Sequence, residues 1–383
     1  MRRQLVIVGV GLIFAAAVGA RLAGILNPPL YAQPADERRL QSRLTLADGY
    51  KLNVYASGLE RPRLMQITKG GDLIVSESDN GKIVLVKRDA ADDGKSDGEE
   101  TLKDGLNEPH GLWLDGNKLY VAEESRVMRY GFDGERLTGG KAVLEGLPTG
   151  GGHSTRTIKR GPDGYFYVTA GASCNVCIEK HPWRAAMIRF SEGIGKPEIF
   201  ASGLRNTVGF DWQPSTGILY GVDNGRDGLG DDVPPEELNV LHEHGFYGWP
   251  YRHGIDIVDP DYGKDMPENL SPTPPVHTFI AHSAPLSIRF LRNQKEPAMN
   301  GTALVAFHGS WNRSKKSGYA ILKLIWKEDG TISDEPFMTG CVKNEKVACR
   351  PVDILEAPDG TIFVSDDYAG AIYRITPALQ SSG

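Results

Sequence analysis

Histidine, arginine and asparagine recur in short segments that precede Gly-containing turns. His153 follows the glycine run 150–152 and precedes Arg156 by three residues. An imidazole titrates near pH ~6.5 and suits a general base at neutral pH, although a lone histidine is more often structural than catalytic. Corresponding segments elsewhere contain further candidate groups: Arg61, Arg63, His110, Arg205, Asn206, His282 and Arg350. If these side chains converge, they suit a small, multiply charged anion, because arginine binds carboxylates through a bidentate fork.

Six repeats of one pattern must position these segments. In each, a turn containing glycine precedes a short run of alternating apolar residues, and the glycines are Gly71, Gly116, Gly164, Gly217, Gly301 and Gly360. Repeats of ~40–50 residues made of short strands are typical of propeller blades. We therefore predict an all-β, six-bladed propeller of four-stranded antiparallel blades over residues 44–378. The strand 52–56 should complete the last blade and close the ring. The alternative is an open sandwich, which six matches disfavour.

One interval between repeats is longer than the others. It marks an insertion at 226–281, rich in Pro, Gly, Asp and His. Insertions of this length on a repeat fold tend to form functional loops on one face. We predict that these loops contribute to the active face.

Composition narrows the class of protein. The chain has 383 residues with 46 Gly and 24 Pro, so many turns and few long helices are expected. With 40% hydrophobic and 24% charged residues, it is neither a polytopic membrane protein nor a disordered chain. The formal charge of −6 argues against a nucleic-acid partner, because phosphate binding needs a basic surface.

The N-terminus has the pattern of a targeting segment. Arg2 and Arg3 precede an apolar run at 5–20, which is shorter than the ~20 residues that span a bilayer. Residues 1–32 are predicted to be a signal peptide, with cleavage after Ala20 or Ala32, or alternatively a membrane anchor. Either interpretation places the rest of the protein outside the cytoplasm.

The four cysteines form two local pairs, and Cys174–Cys177 with Cys341–Cys349 is the simplest disulfide scheme. Attachment of c-type haem would need histidine where Ile178 stands. A structural zinc site that combines the two pairs is a weaker alternative.

Several motifs follow one another along residues 51–375. They are His153-x-x-Arg156 with the following Gly161-Pro162-Asp163-Gly164, Gly203-Leu204-Arg205-Asn206, Glu236-Glu237-Leu238-Asn239-Val240, Tyr247-Gly248-Trp249-Pro250 and Arg350-Pro351-Val352-Asp353. In this order they resemble the quinoprotein glucose/sorbosone dehydrogenases, in particular the pyrroloquinoline quinone (PQQ)-dependent aldose sugar dehydrogenase-like members.

The resemblance implies PQQ at the mouth of the channel. His153 would take the proton of the substrate hydroxyl as hydride passes to the quinone, and Arg205 would stabilise the charge that develops on the quinone oxygen. Asn206 would hydrogen-bond PQQ. The remaining implied contacts to PQQ come from His110, Arg313 and Arg350.

The resemblance also implies Ca²⁺. Main-chain oxygens of Gly225 and Arg226 would bind one ion beside PQQ, and Glu237 with the Tyr247 carbonyl would bind a further one. Oxygen ligands of this kind suit a hard cation. Asp231, Asp232 and Glu236 are additional candidates, for which a solvated acidic loop is the competing interpretation.

The resulting hypothesis is an exported PQQ-dependent dehydrogenase. It would oxidise an aldose, a sorbosone-like aldehyde or a related alcohol, and pass electrons to a periplasmic acceptor such as a cytochrome or a quinone. Two alternatives are a Ca²⁺-dependent lactonase or similar hydrolase on a six-bladed propeller, and a non-catalytic binding propeller.

Overall fold

The repeated pattern of turns and short strands folds into six antiparallel blades. The computed structural model describes residues 37–378, so the predicted signal or anchor at 1–32 lies outside the described residues. One α-helix, α1 (Glu37–Gln41), precedes the first strand. Within the described range, no helix is both long enough and apolar enough to cross a bilayer.

The strands are short, as the spacing of glycine and proline predicts. In chain order they are β1 (Thr45–Leu46), β2 (Tyr50–Ser57), β3 (Pro62–Ile67), β4 (Leu73–Glu77), β5 (Lys82–Val86), β6 (Glu99–Lys103), β7 (Gly111–Asp115), β8 (Lys118–Glu123), β9 (Arg126–Phe132), β10 (Leu137–Glu145), β11 (Ile158–Arg160), β12 (Phe166–Ala170), β13 (Ala186–Ser191), β14 (Ile194–Ser202), β15 (Thr207–Trp212), β16 (Leu219–Asp223), β17 (Glu236–Leu241), β18 (Gly245–Phe246), β19 (Arg252–His253), β20 (Ile257–Val258), β21 (His277–Phe279), β22 (Pro285–Phe290), β23 (Ala303–Phe307), β24 (Ala320–Trp326), β25 (Ile332–Thr339), β26 (Val342–Lys343), β27 (Lys346–Val347), β28 (Pro351–Glu356), β29 (Ile362–Asp366) and β30 (Ala371–Pro377). Two single turns of 3₁₀-helix occur at Gly263–Asp265 and Pro297–Met299.

Each blade has four main strands. Blade 1 is β3 to β6, blade 2 is β7 to β10, blade 3 is β11 to β14 with β18 added in parallel, blade 4 is β15, β16, β17 and β21, blade 5 is β22 to β25 with β1 added, and blade 6 is β28, β29, β30 and β2. The first strands of most neighbouring blades lie side by side, and β12 takes this place between blades 3 and 4. The prediction of a six-bladed propeller is confirmed.

The ring is closed by the N-terminal strand, as the sequence predicts. Strand β2 pairs antiparallel with β30, with Leu52 opposite Ile375 and Val54 opposite Tyr373. Residues far apart in the chain thus complete a single sheet, which ties the last blade to the first.

The second strand of each blade is the core of the fold. Strands β4, β12, β16, β23 and β29 are buried along their whole length, and β8 is buried apart from Lys118. Packing between blades includes aromatic contacts, such as Tyr220 of blade 4 with Trp326 of blade 5 at a centroid distance of 5.2 Å. Burial of both faces explains why these strands are nearly continuous apolar runs.

The six repeat glycines mark one face of the ring. Each lies in the turn between the first and second strands of a blade and has a positive φ, for example 94° at Gly71 and 86° at Gly360. Glycine adopts this conformation without steric cost. The segments that precede the first strands therefore lie at the opposite face, where the candidate site residues gather.

The insertion region contains part of blade 4 itself. The range 226–281 includes β17 and β21, and the excursion between them runs over 242–276. It carries β18, the ribbon of β19 and β20, and a 3₁₀ turn.

Both predicted disulfides are present. Cys174 is bonded to Cys177 and Cys341 to Cys349. The zinc alternative therefore does not hold, because no thiol is left to bind the metal within the described part of the chain.

Candidate active site

His153 lies in the loop between β10 and β11, with its ring held by one hydrogen bond. Its Nδ1 atom is 2.7 Å from the main-chain oxygen of Ala172. Because that oxygen can only accept, Nδ1 carries the proton of the neutral ring and Nε2 keeps a free lone pair. The half-buried ring borders a cavity. The arrangement leaves one nitrogen able to accept a proton from a molecule in that cavity.

Two arginines shape the loop that carries His153. Nη1 of Arg184 donates to the main-chain oxygens of His153 at 3.1 Å and Gly171 at 3.2 Å. Arg156 donates to the oxygens of His153 at 3.2 Å and Thr155 at 2.8 Å. In the described chain neither guanidinium forms a salt bridge with a carboxylate. Their charges are therefore not neutralised locally.

This environment keeps the His153 imidazole neutral. Burial is the main cause that lowers its pKa to about 4, followed by the charge of Arg205 and then those of Arg184 and Arg156. A hydrogen bond to Ala172 opposes the shift. At neutral pH the ring is thus an uncharged acceptor.

Arg205 and Asn206 precede the first strand of blade 4, where a buried carboxylate fixes their backbone. Asp223 accepts hydrogen bonds from the Arg205 amide at 3.0 Å and the Asn206 amide at 2.9 Å. The Arg205 guanidinium donates from Nε to the main-chain oxygen of Asn175 at 3.0 Å and from Nη1 to that of Asn224 at 3.1 Å. A nearly buried cation is thus held by two main-chain oxygens at the edge of the cavity, and its Nη2 atom also lies 3.5 Å from the Asp227 carboxylate.

Gly171 brings His153 and Asn206 next to each other. A Cβ atom at this position would lie 2.5 Å from Oδ1 of Asn206 and 2.8 Å from Cβ of His153. Both distances are shorter than real carbon contacts, so no larger residue fits without displacing one of the two side chains. Within residues 37–378, the Asn206 carboxamide forms no hydrogen bond, so its polar atoms remain available to a ligand.

The cavity that these residues border has a volume of about 420 Å³. Its lining comes from blades 3, 4 and 5 and comprises Gly152, His153, Cys174, Asn175, Arg205, Asn206, Asn224, Gly225, Asp227, Glu236, His282, Ala284, Trp311 and Asn312. The structure thus brings together six of the residues singled out from the sequence: His153, Arg205, Asn206, Gly225, Glu236 and His282.

Three other predicted PQQ contacts do not line this cavity. His110 is 0% exposed, with Nδ1 3.4 Å from the Arg156 oxygen. Arg350 donates to the main-chain oxygens of two residues in the loop after β23, His308 and Gly309, each at 3.0 Å. Arg313 is held by the acidic loop, 2.9 Å from Asp232. Arg350 and Arg313 are thus held by protein partners, whereas Nε2 of His110 is buried without a hydrogen-bond partner among the described residues.

Some of the arginines that precede the first strands of the blades are paired with carboxylates. Arg63 lies 2.6 Å from the buried carboxylate of Asp367, which His308 contacts at 2.7 Å. Arg61 pairs with Asp79 and lies 3.7 Å from Asp367. Arg205 in turn lies 3.5 Å from the Asp227 carboxylate. Several cations at this face are therefore paired with carboxylates, and they do not form a full cationic ring.

The first candidate metal segment borders the cavity. The Gly225 amide donates to Glu236 at 2.6 Å, and the Arg226 side chain pairs with the carboxylates of Asp259 and Asp261. No hydrogen bond from the described residues reaches the main-chain oxygens of Gly225 or Arg226. Burial raises the pKa of Glu236 to about 7. Two free carbonyls beside this carboxylate are suitable ligands for a hard cation.

The second candidate metal residues lie on the other side of strand β17. Because side chains alternate along a strand, Glu237 points away from the cavity that Glu236 lines. Glu237 accepts from the Gly254 amide at 2.7 Å and from Asn239 at 3.0 Å. The side-chain oxygen of Asn239 is buried and has no hydrogen-bond partner among residues 37–378. The Tyr247 hydroxyl donates to the Val240 oxygen at 2.6 Å.

Sequence reasoning missed several residues of the lining. Asn175 and Asp227 bridge Arg205 and the candidate metal segment, and Trp311 is a rim aromatic that is 78% exposed. Asn312 pairs with Asp227. Two signals in the sequence could have pointed to these residues. Asn175 lies between two cysteines, and Asp227 directly follows Arg226. Neither position predicts a contact with Arg205 without the fold.

Comparisons with known proteins agree with this fold. The TrAA12-like family model matches residues 44–252 and 264–378. An uncharacterized protein of Borreliella burgdorferi is 30% identical over 355 residues, covering 88% of this chain and 91% of that protein. The pyrroloquinoline quinone-dependent sugar dehydrogenase of Hypocrea jecorina is 27% identical, and the match covers 85% of this chain and 88% of that enzyme. The calcium structure of a Trichoderma reesei enzyme of Carbohydrate-Active Enzymes Family AA12 superimposes with a TM-score of 0.76 at 21% identity, covering 91% and 99% of the two chains. This last similarity shows a shared fold.

Proposed function

The chain belongs to the TrAA12-like family, and on that basis we propose that it is a PQQ-dependent dehydrogenase that oxidises a sugar. The Hypocrea jecorina relative is named for this activity and matches along most of both chains. The observation that carries the proposal is the neutral His153 ring, which shares one cavity with Arg205 and Asn206.

His153 acts as the general base. The Ala172 oxygen holds Nδ1–H, so Nε2 accepts the proton of the substrate hydroxyl. The Arg156 and Arg184 contacts fix the loop, which keeps the ring in one orientation while the proton moves. The low pKa of about 4 ensures that the ring is unprotonated before each reaction.

Arg205 and Asn206 bind the cofactor. When bound, PQQ supplies a quinone that accepts hydride from the substrate carbon. Asn206 offers a carboxamide without a protein partner, and Arg205 offers a fixed positive charge where negative charge develops. Because Gly171 has no side chain, Asn206 and His153 can lie next to each other without displacement. Arg350, Arg313 and His110 would contact only those parts of the cofactor that extend beyond this cavity.

Calcium beside PQQ is held by the free main-chain oxygens of Gly225 and Arg226. Burial raises the pKa of Glu236 to about 7, and a bound cation would favour the ionised form of this carboxyl group, whose negative charge would in turn attract the cation. Glu237, the unpartnered oxygen of Asn239 and the Tyr247 carbonyl belong to a further site on the opposite face of β17. The calcium structure of the Trichoderma reesei enzyme lends support to a calcium requirement.

The substrate is a sugar that enters beside Trp311. An exposed aromatic ring at the rim offers a flat apolar face to the C–H surface of a pyranose. The nearby side-chain amides and carboxylates form hydrogen bonds with the hydroxyl groups of the sugar. Electrons leave to a cytochrome or a quinone outside the cytoplasm. Two disulfides fit an exported protein, and residues 1–32 would supply the signal or a membrane tether.

Reconstitution tests the proposal. The apoprotein is titrated with PQQ in the presence of Ca²⁺, and reduction of an artificial dye is followed with a panel of aldoses. We expect stoichiometric PQQ binding and sugar-dependent reduction. Absence of PQQ binding to folded protein would exclude the proposed function, and hydrolysis of a lactone without PQQ would favour the hydrolase alternative.

A further inference from the structure

The short loop closed by the Cys174–Cys177 disulfide sits against Arg205. Nε of Arg205 donates to the main-chain oxygen of Asn175 at 3.0 Å, and Nη2 donates to its side-chain oxygen at 3.0 Å. One residue thus supplies two acceptors to two different nitrogens of the guanidinium. This bidentate contact restrains both the position and the plane of the cation.

Asn175 also joins Arg205 to the candidate metal segment. Its side-chain oxygen accepts from the Asp227 amide at 2.8 Å, and its Nδ2 donates to the Asp227 oxygen at 2.9 Å. Asp227 follows Gly225 and Arg226 directly. A single exposed asparagine therefore contacts the cation and the adjoining loop at the same time.

The chain just before the loop is tied to both key side chains. The Ala172 amide donates to the Arg205 oxygen at 2.7 Å, and the Ala172 oxygen accepts from His153 at 2.7 Å. Ser173 is braced by Glu179, which accepts from its amide at 2.5 Å and from its hydroxyl at 2.8 Å. The disulfide begins at the next residue and closes a ring of only four residues around Asn175.

We propose that the disulfide-closed loop Cys174–Cys177 is a positioning device for Arg205, acting through Asn175. Asn175 is exposed, and an exposed four-residue loop without a crosslink would sample many conformations. The disulfide restricts these conformations to those in which both oxygens of Asn175 face the guanidinium. The role of Arg205 toward PQQ rests on the proposed function, whereas its restraint by the loop does not.

The apoprotein provides two readouts that need no cofactor. Hydrogen exchange of the Arg205 Nε–H, followed by ¹⁵N NMR, reports the bond to Asn175. The titration of His153, followed by NMR with labelled histidine and assigned with His153→Gln, reports how close the Arg205 charge remains. Among the charged groups that lower the pKa of His153, Arg205 has the largest effect, ahead of Arg184 and Arg156. The midpoint of the His153 titration in Arg205→Gln gives the reference value without the Arg205 charge.

Three variants test the device. Asn175→Ala removes the side-chain acceptor, C174A/C177A opens the loop, and Val176→Ala is the control within the same loop. We expect Asn175→Ala and C174A/C177A to accelerate Arg205 Nε–H exchange about tenfold and to move the His153 midpoint upward toward that of Arg205→Gln. Val176→Ala should match the wild type. Circular dichroism confirms that each variant is folded.

The outcomes separate this proposal from the proposed function. Wild-type exchange and titration in both Asn175→Ala and C174A/C177A would overturn the positioning role, and an effect of Asn175→Ala alone would overturn the contribution of the disulfide. With PQQ bound, we expect Asn175→Ala to lower kcat about tenfold and to change KM less than twofold. If the wild type binds no PQQ, the proposed function fails while the NMR readouts still decide the role of the loop.

Discussion

The main-chain oxygen of Ala172 lies 2.7 Å from Nδ1 of His153, and the amide of the same residue donates to the Arg205 oxygen at 2.7 Å. One peptide segment therefore orients the candidate base and anchors the candidate cation. The two groups come from different blades, so their relative position depends on how blades 3 and 4 pack. Chemistry that needs both residues is sensitive to small changes in this segment.

Replacement of His153 tests its role as base. We expect His153→Ala to lower kcat about a thousandfold, because a positioned general base contributes ~10²–10⁴ in rate. PQQ affinity, measured by titration of the apoprotein, should change little, since the ring is a proton acceptor and not an anchor of the cofactor. Turnover that remains at the wild-type level would show that another group removes the proton.

The pH dependence of kcat/KM should differ from that of an enzyme whose general base is a histidine with an ordinary pKa. Burial and the neighbouring arginines lower the pKa of His153 to about 4, so the acceptor form persists as the pH falls through ~6.5. Protonation removes the lone pair at Nε2, so this group reduces activity only as the pH approaches about 4. A profile of kcat/KM against pH checks this, and a loss centred near ~6.5 that disappears in His153→Gln would contradict it.

Gly171 offers a steric test of the site. The Cβ of Gly171→Ala would meet Asn206 and His153 at 2.5 and 2.8 Å, and overpacking of this kind costs about 1–3 kcal/mol. We expect PQQ affinity to fall about tenfold or more, measured by fluorescence titration. Gly70→Ala is the matched control, because its nearest neighbour is 3.4 Å away and it lies on the opposite face. Equal affinities for the two variants would argue against cofactor binding next to Gly171.

Calcium removal should abolish PQQ-dependent activity. The free carbonyls of Gly225 and Arg226 and the buried Glu236 suit a hard cation, and Mg²⁺ fits such flexible oxygen sites less well than Ca²⁺. We expect dialysis against EGTA to weaken PQQ binding, and added Ca²⁺ but not Mg²⁺ to restore it. Full PQQ affinity in protein shown by mass spectrometry to contain no calcium would remove the metal from the proposed site.

Trp311 should affect substrate binding more than turnover. Its side chain is 78% exposed at the rim, where stacking on a sugar ring would contribute about 1 kcal/mol. We expect Trp311→Ala to raise KM about five- to tenfold with less than a threefold change in kcat. Steady-state kinetics with the best aldose measures both, and Trp311→Phe should recover most of the affinity. A fall in kcat at constant KM would point to a different role for the ring.

The sequence alone determined the architecture and the chemistry of the main groups. Six glycine turns, one in each repeat, specified six blades, because each turn requires a backbone conformation that glycine adopts without cost. The strand over residues 52–56 could be assigned to the last blade, and both disulfides followed from cysteine spacing. The positions of His153, Arg205 and Asn206 before the first strands of their blades placed them at one face.

Only the tertiary structure decided which polar groups share the cavity. His110 and Arg350 precede the first strands of their blades as Arg205 does, but neither side chain lines the cavity. Arg350 instead donates to main-chain oxygens of the loop after β23. Two of the acceptors that hold Arg205 come from Asn175, 30 residues earlier in the chain and in another blade. Contacts of this kind depend on blade packing and on the closed disulfide loop, which no local pattern encodes.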